Sequence, residues 1–435
     1  MKTQIVIVGG GAAGLVLARK LGAGLDRAQH DVILVDRNPT HVWKPLLHEV
    51  ATGSLDANLD EVGYRNHGHR WGYRFFLGSL DAIDRDTREV LIAPIRDEDG
   101  SELISAHRIR YDILVLAFGS ISNDFGVPGV GQHCMFLDTR AQADRFRQRL
   151  LNQCLRVSRT LGRDPSADAR VRVAIVGGGA TGVELSAELF NAASGLHHYG
   201  LEGFDDRRLE VTLLESGPRI LPALPEPLAA AAQAELTQLG VNVKTAAQVV
   251  AVEPGRLKTA NSEAIEADVL VWAAGVKGPD LVQRLSGLEM TPNRQLVVRP
   301  TLQSTADERI FCIGDCAFFR ADPQAAPVPP RAQSAAQMAE VAYTNVMHLL
   351  KGKALRPFVY RDYGSLVSLS RYSTVGSLMG NLVGGRMAVE GRLARFVYVS
   401  LYRKHLLAVH GLFRGLLLIV VGHVNQVVRP RLKLH

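Results

Sequence analysis

Two glycine-rich turns constrain this chain more than anything else in it. The first lies in QIVIVGGGAAGLVLA, residues 4–18, where a short β-branched apolar run meets Gly9, Gly11 and Gly14 and passes into an apolar helical pattern. The order is strand, tight turn, helix. The first glycine permits the turn, the second lets a pyrophosphate approach the backbone, and the third lets the helix pack closely on the strand. The helix N-terminus then faces the phosphates. A lone GxGxxG is a weak signal. Here a second apolar strand, 31–35, ends in Asp36, 22 residues after Gly14, where a carboxylate can bond a ribose hydroxyl. The residues expected on this dinucleotide are Gly9, Gly10, Gly11, Ala12, Ala13, Gly14, Asp36 and Arg37.

The unit recurs at 171–188, VRVAIVGGGATGVELSAE, with Gly177, Gly179 and Gly182, and the next strand, 210–214, ends in Glu215. The gap from Gly182 to Glu215 is 33 residues, which fits an insertion around 191–208 rich in Gly, His and charge. Two such units 168 residues apart are far more specific than one, because a chain that passes electrons between two dinucleotides needs both. One is expected to hold FAD and the other a nicotinamide. On the second, the expected contacts are Gly177, Gly178, Gly179, Thr181, Gly182, Glu184 and Glu215. Glu215 can accept from a 2′-hydroxyl and would repel a 2′-phosphate, so NADH is expected over NADPH, with Arg219 the one nearby cation that argues otherwise.

Two buried-strand runs ending in glycine turns, YDILVLAFG (111–119) and ADVLVWAAG (267–275), read as crossing strands that bring Ala117 and Gly119, then Ala274 and Gly275, towards a cofactor. A third run, RIFCIGD (309–315), puts Asp315 at a strand end, placed to bond a flavin's ribityl chain or to cap the helix that follows.

At 435 residues the chain is too long for one typical core, so two or three domains are expected. A bilayer-spanning helix takes roughly 20 consecutive apolar residues. The longest uncharged run is 16, residues 3–18, with four glycines. No transmembrane helix is expected, and hence no proton pumping. The strand pattern beginning at Gln4 leaves no room for a secretory signal, so residence in the cytoplasm is expected. The four cysteines, 134, 154, 312 and 316, lack CxxC spacing and read as packing residues, with no metal site.

With these residues in view, the chain resembles the two-dinucleotide-binding-domain flavoproteins and, within them, the proteobacterial type II, non-pumping respiratory NADH:quinone oxidoreductases. The resemblance rests on VWKPLLHEVATGSLD (42–56), LAFGSISNDFGVPG (116–129), IVGGGATGVELSAEL (175–189), RILPALP (219–225), VWAAGVKGPD (271–280), IGDCA (313–317), VPPRAQSAAQMA (328–339), GSLVSLSRYSTVGSLMGNL (364–382) and the closing RPRLKLH. It implies that the first turn, Asp36 and Asp315 hold FAD, with Lys44 on the segment passing the isoalloxazine. It implies that the second turn and Glu215 hold NADH, and that Glu184 lies near the nicotinamide–flavin contact and takes part in turnover. Taken alone, Glu184 would be an ordinary first-turn acid favoured by the helix dipole. The resemblance further implies that Ala332 and Gln333 begin a helix directed at the flavin and that Gln333 and Gln337, one turn apart on one face, bond quinone carbonyls; by spacing alone two such glutamines would read as a solvent-facing pair. No cysteine precedes Cys134. The redox cysteines of glutathione-reductase-like enzymes, NADH oxidases and sulfide:quinone reductases are therefore missing, and electrons are expected to leave the flavin directly for ubiquinone or menaquinone.

Charge is concentrated at one end. The net charge is +7, yet residues 386–435 carry nine basic residues against the single acid Glu390, a balance of +8, which leaves the rest at −1. The tail alternates basic and bulky apolar residues at helical spacing. Arg403, His410 and Arg414 fall on one side of a single helical wheel, with Leu401, Leu412 and Ile419 opposite. Such a segment is expected to lie in a membrane interface, where each basic residue beside anionic lipid contributes roughly 1 kcal/mol, the alternative being a core-packed C-terminal helix with a solvated face. No nucleic-acid motif is visible.

The expected fold is α/β: two Rossmann-like dinucleotide-binding domains, for FAD and NADH, plus a C-terminal region with amphipathic membrane-anchoring helices. The expected boundaries are an FAD domain from 1–130 and 294–345, a helical connection 131–170, an NADH domain 171–293, a mainly β region 346–394 and a basic tail 395–435. The expected function is FAD-dependent NADH oxidation with two-electron reduction of a membrane quinone at the cytoplasmic face of the bacterial inner membrane. A soluble NADH:electron-carrier reductase and a redox-gated binding flavoprotein are the alternatives, and a homodimer is left open.

Overall fold

The computed structural model describes residues 2–196, 201, 204–369, 373–380 and 385–428, with backbone alone over 59–60, 373–380, 385–399, 401, 423 and 426–428. The chain divides into two compact units: Met1–Trp43 with Glu61–Ile121 and Val276–Asp362, and Lys44–Asp60 with Ser122–Gly275 and Tyr363–His435.

The first unit is built on a five-stranded sheet in the order Ile310–Cys312, Ile113–Leu116, Thr3–Val8, His30–Asp36, Arg74–Leu77, every pair parallel. A parallel sheet is covered on both faces, so its strands read as unbroken apolar runs. IVIV (5–8), VILV (32–35) and ILVL (113–116) are buried throughout. The helices Gly14–Gly24, Tyr64–Trp71 and Ala332–Leu349 belong to the same unit, as does a small antiparallel sheet of Leu80–Asp84, Glu89–Ile92 and His107–Arg110.

The second unit repeats the plan with four parallel strands, Asn242–Lys244, Leu209–Leu214, Val171–Val176 and Val269–Trp272. The helix Ala180–Leu196 follows its glycine turn, and Val249–Glu253, Arg256–Thr259 and Ala264–Glu266 pack as an antiparallel sheet over Ala174, Leu214 and Trp272. The connecting helix runs Arg140–Arg163, opened by a capping box between Thr139 and Gln142. A meander of Gly364–Leu369, Ser373–Gly380 and Gly385–Glu390 precedes the tail.

The units are drawn differently from the boundaries read in the sequence. Residues 44–60 join the second unit because their short helix, Leu47–Thr52, packs against Arg140–Arg163 and Ala180–Leu196, and the chain crosses at Ile121 and again at Val276. The tail also differs. Gly411, at φ +76, ends one helix, Gly391–His410, and a second, Leu412–Val428, turns back against it with Gly415 close to Leu407. A single wheel across Arg403 and Arg414 therefore does not apply. Tail residues 429–435, with Arg429, Arg431 and Lys433, lie outside the described residues.

Candidate functional site

In the first unit the glycine turn leaves the C-terminal end of Thr3–Val8, flanked by the ends of His30–Asp36 and Ile113–Leu116. That edge is where open parallel sheets take ligands. Gly9 has φ +106, and a Cβ there would stand 2.4 Å from the Ala117 carbonyl oxygen; a Cβ on Gly14 would stand 1.9 Å from Gly9 O. Over Gly11 the space is open, as a pyrophosphate lying on the backbone requires. The helix Gly14–Gly24 starts without a side-chain cap, its Leu15 amide donating to Gly11 O at 3.1 Å.

Asp36 closes the turn. Its Oδ2 accepts from Gly10 N at 2.7 Å and its Oδ1 from Asn38 N at 2.8 Å. Burial raises its carboxyl pKa, against the hydrogen bonds and the neighbouring Arg37, which lower it. Three strands from Asp36, beyond Ile310–Cys312, Asp315 caps no helix; its Oδ2 accepts from Ser120 Oγ at 2.9 Å, and Gln295 Nε2 donates to its carbonyl. Gly119, at φ +73, has open space on its Cβ side. Ala12, Ala13, Ala117, Gly119 and Asp315 thus belong to the same unit as the first turn, and the donors, acceptors and clearance fit an FAD diphosphate and ribose.

The second unit repeats this plan. Gly177 has φ +114 and backs onto Ala273 and Ala274, a Gly182 Cβ would lie 2.0 Å from Gly177 O, and Gly179 is open. Glu215 Oε2 accepts from Gly178 N at 2.8 Å and its Oε1 from Gly217 N at 2.7 Å. Thr181 is exposed in the first turn of the helix. Arg219 is committed elsewhere: its guanidinium donates to the carbonyls of Leu221, Pro222 and Leu224.

Glu184, expected in the helix's first turn, is instead the fifth residue of Ala180–Leu196, beyond that turn; it is buried, and its carboxylate is engaged within the unit. Oε1 accepts from Ser368 N at 3.1 Å, and Oε2 lies 3.6 Å from His48 Nδ1. Burial lowers the His48 pKa to about 4, so the imidazole is neutral near pH 7 and the contact is not an ion pair. Lys44, at the start of the same segment, pairs with Asp138 at 3.2 Å.

The helix Ala332–Leu349 also starts without a side-chain cap. Gln333 Nε2 donates to Asp362 Oδ1 at 3.0 Å. Gln337 donates to Arg361 O at 2.8 Å and accepts from Arg361 N at 3.0 Å, so a quinone carbonyl at Gln337 would compete with that backbone pair. All four cysteines are free thiols; burial pushes Cys316 up to about 12 and Cys312 well above its ordinary value, the state of a packing thiol.

Sequence reasoning missed the partners. Tyr64, whose phenol donates to Gly10 O at 2.8 Å beneath the first turn, and His48 and Ser368, which engage Glu184, carry no spacing signal that would single them out. His48 sits in plain view inside PLLHEVATG. Only packing shows which acid it meets.

Residues 3–339 match the pyridine nucleotide-disulphide oxidoreductase family. Over 99% of this chain and all of the relative, the sequence is 46% identical to a type II NADH:quinone oxidoreductase of Haemophilus influenzae. It is 28% identical to a Staphylococcus aureus protein of the same name, over 89% of this chain and 92% of that one. Among solved structures, NDH2 of Plasmodium falciparum in complex with NADH superposes with a TM-score of 0.81 at 18% identity over the whole of both chains. The sulfide:quinone oxidoreductase of Aquifex aeolicus superposes at 0.70 and 16%, over 98% and 95%. These last two show the fold. The chain belongs to the pyridine nucleotide-disulphide oxidoreductase family and, within it, to the type II NADH:quinone oxidoreductases.

Proposed function

We propose that this protein oxidises NADH and reduces a membrane quinone by two electrons, with FAD as its resident cofactor and without pumping protons. The observation that carries the reading is the pair of glycine turns, each with a strand-end carboxylate bonded to the amide between its first two motif glycines, Gly10 N and Gly178 N, in one chain 46% identical to a type II NADH:quinone oxidoreductase. When bound, FAD supplies a two-electron relay between nicotinamide and quinone. The protein's own part is to hold and orient. Asp36 and Asp315 would bond the cofactor's hydroxyls, Gly11 and Gly179 would give each pyrophosphate access to backbone, and Glu215 would take the NADH ribose. With Arg219 tied to three carbonyls, no cation is offered to a 2′-phosphate by that side chain, which supports NADH over NADPH. Gln333 and Gln337 remain the proposed quinone contacts, together with the uncapped start of their helix.

Attachment to the cytoplasmic face of an inner membrane is part of the same reading. No helix of the described residues is long and apolar enough to cross a membrane. Leu412–Val428 instead leaves Leu412, Phe413, Leu416, Leu417, Leu418, Val420, Val421 and Val424 between 39% and 87% exposed, with exposed Lys404 and Arg414 nearby in the chain. An apolar surface of this extent beside basic residues suits burial in an anionic interface.

Purified protein should contain FAD and turn over NADH in the presence of a short-chain quinone; a flavin-free preparation that cannot be loaded with FAD would refute the reading. Gln333→Leu should slow quinone reduction more than flavin reduction by NADH in single-turnover experiments, and equal losses in both half-reactions would remove it from the quinone site.

A further inference from the structure

One aromatic side chain stands out at the second unit's dinucleotide edge. Phe125 is 63% exposed and has φ +51, a conformation bulky L residues rarely occupy. The conformation is held from several sides. Phe125 N donates to Asn123 Oδ1 at 2.9 Å, Asn123 N donates to Gly275 O at 3.2 Å, and the buried Trp272 indole donates to Asn123 O at 2.7 Å. The tip of the ring lies against the Gly275 turn: a Cβ on Gly275, itself at φ +57, would stand 2.5 Å from Phe125 Cζ and 3.0 Å from Cε2. An exposed ring, a strained backbone and a glycine that makes room for it are costs that folding alone does not explain.

Its position suggests what it meets. Val171–Val176 pairs with Leu209–Leu214 on one side and Val269–Trp272 on the other, so Glu215 and Gly275 flank the glycine turn from opposite sides. Two strand spacings separate them, about 10 Å, within the span of a dinucleotide. With one ribose on Glu215 and the pyrophosphate over Gly179, the remaining half of the molecule runs towards Gly275. We propose that Phe125 is an NADH-binding residue: its ring is the apolar wall against which the nicotinamide–ribose half is held. This rests on the reading of the second glycine turn as the NADH site.

The test compares Phe125→Gly, Phe125→Tyr and Glu215→Ala in the FAD-loaded protein. Glycine accepts positive φ without cost, so Phe125→Gly should keep its thermal midpoint and its FAD content while removing only the ring. The expected result is a rise of roughly five- to tenfold in the KM for NADH and in the Kd of NAD⁺ by calorimetry, the loss of one aromatic contact, with the KM for quinone unchanged. Phe125→Tyr should restore both. If Phe125→Gly binds NAD⁺ as tightly as the wild type while Glu215→Ala binds it weakly, the ring is only a cover for the turn and the proposal falls. If neither variant weakens NAD⁺ binding, the site reading itself is wrong, and the proposal falls with it.

Discussion

Gly10 occupies a position that the glycine motif leaves unspecified, and its φ is not one that demands glycine. Packing demands it. A Cβ on Gly10 would stand 2.5 Å from both Cζ and Oη of Tyr64 and 2.6 Å from Cε1, so the ring would have to retreat by about 1 Å to reach ordinary contact. Tyr64 has nowhere to go, being 2% exposed, bonded through its phenol to Gly10 O and packed on Phe75 with ring centroids 5.0 Å apart. Overpacking of this kind costs roughly 2 kcal/mol. Because the strain falls on the residue whose amide binds Asp36, the same cost of about 2 kcal/mol is shared between lower stability and weaker FAD retention, the latter by at most about thirtyfold. The assay is a double-mutant cycle read by thermal unfolding and by the flavin-to-protein absorbance ratio. Gly10→Ala should be costly in the wild-type background and in Tyr64→Phe, which keeps Cζ, but nearly free in Tyr64→Val, where the clashing atoms are gone. Tyr64→Val alone should cost about 3 kcal/mol as a large-to-small change. An equal penalty for Gly10→Ala in every background would show that Tyr64 is not what excludes a side chain there.

Three further outcomes are expected. Glu215→Ala should raise the KM for NADH without creating NADPH turnover, because Arg219 stays bound to its three carbonyls; appreciable NADPH activity in that variant would mean that Arg219 is available after all. His48 is neutral in the fold, with its pKa lowered from 6.5 to about 4 by burial, so its contribution to stability is present above about pH 6.5 and is lost as pH falls towards 4. His48→Leu should therefore flatten the stability–pH profile across that window by an amount on the order of 3 kcal/mol, and a profile as steep as wild type would place the acid sensitivity elsewhere. Phe413→Asp with Leu417→Asp should abolish sedimentation with anionic vesicles while leaving turnover with a water-soluble quinone intact; vesicle binding that persists would assign attachment to another surface.

The sequence by itself determined the two nucleotide-binding sheets, since unbroken apolar strands, glycines at fixed intervals and a strand-end acid are requirements of local geometry that recur wherever a backbone must meet a pyrophosphate. Asp36 and Glu215 were legible for the same reason; Asp36 accepts from Gly10 N and Glu215 from Gly178 N. The concentration of charge in the tail was equally plain, though not its break at Gly411, where a helical wheel has no means of registering one residue in the left-handed region. What only the tertiary structure decided is which distant groups meet. Asp315 goes to Ser120, Glu184 is engaged by Ser368 and lies beside His48, Gln337 is tied to the Arg361 backbone, and Phe125 lies on Gly275. These pairings join residues 24 to 195 positions apart, and no local periodicity encodes them. They follow from which faces the sheets and helices bury against one another, so side chains with unremarkable spacing in the chain become partners, and Gly10, free to vary by its own backbone, is held to glycine by the tyrosine packed against it.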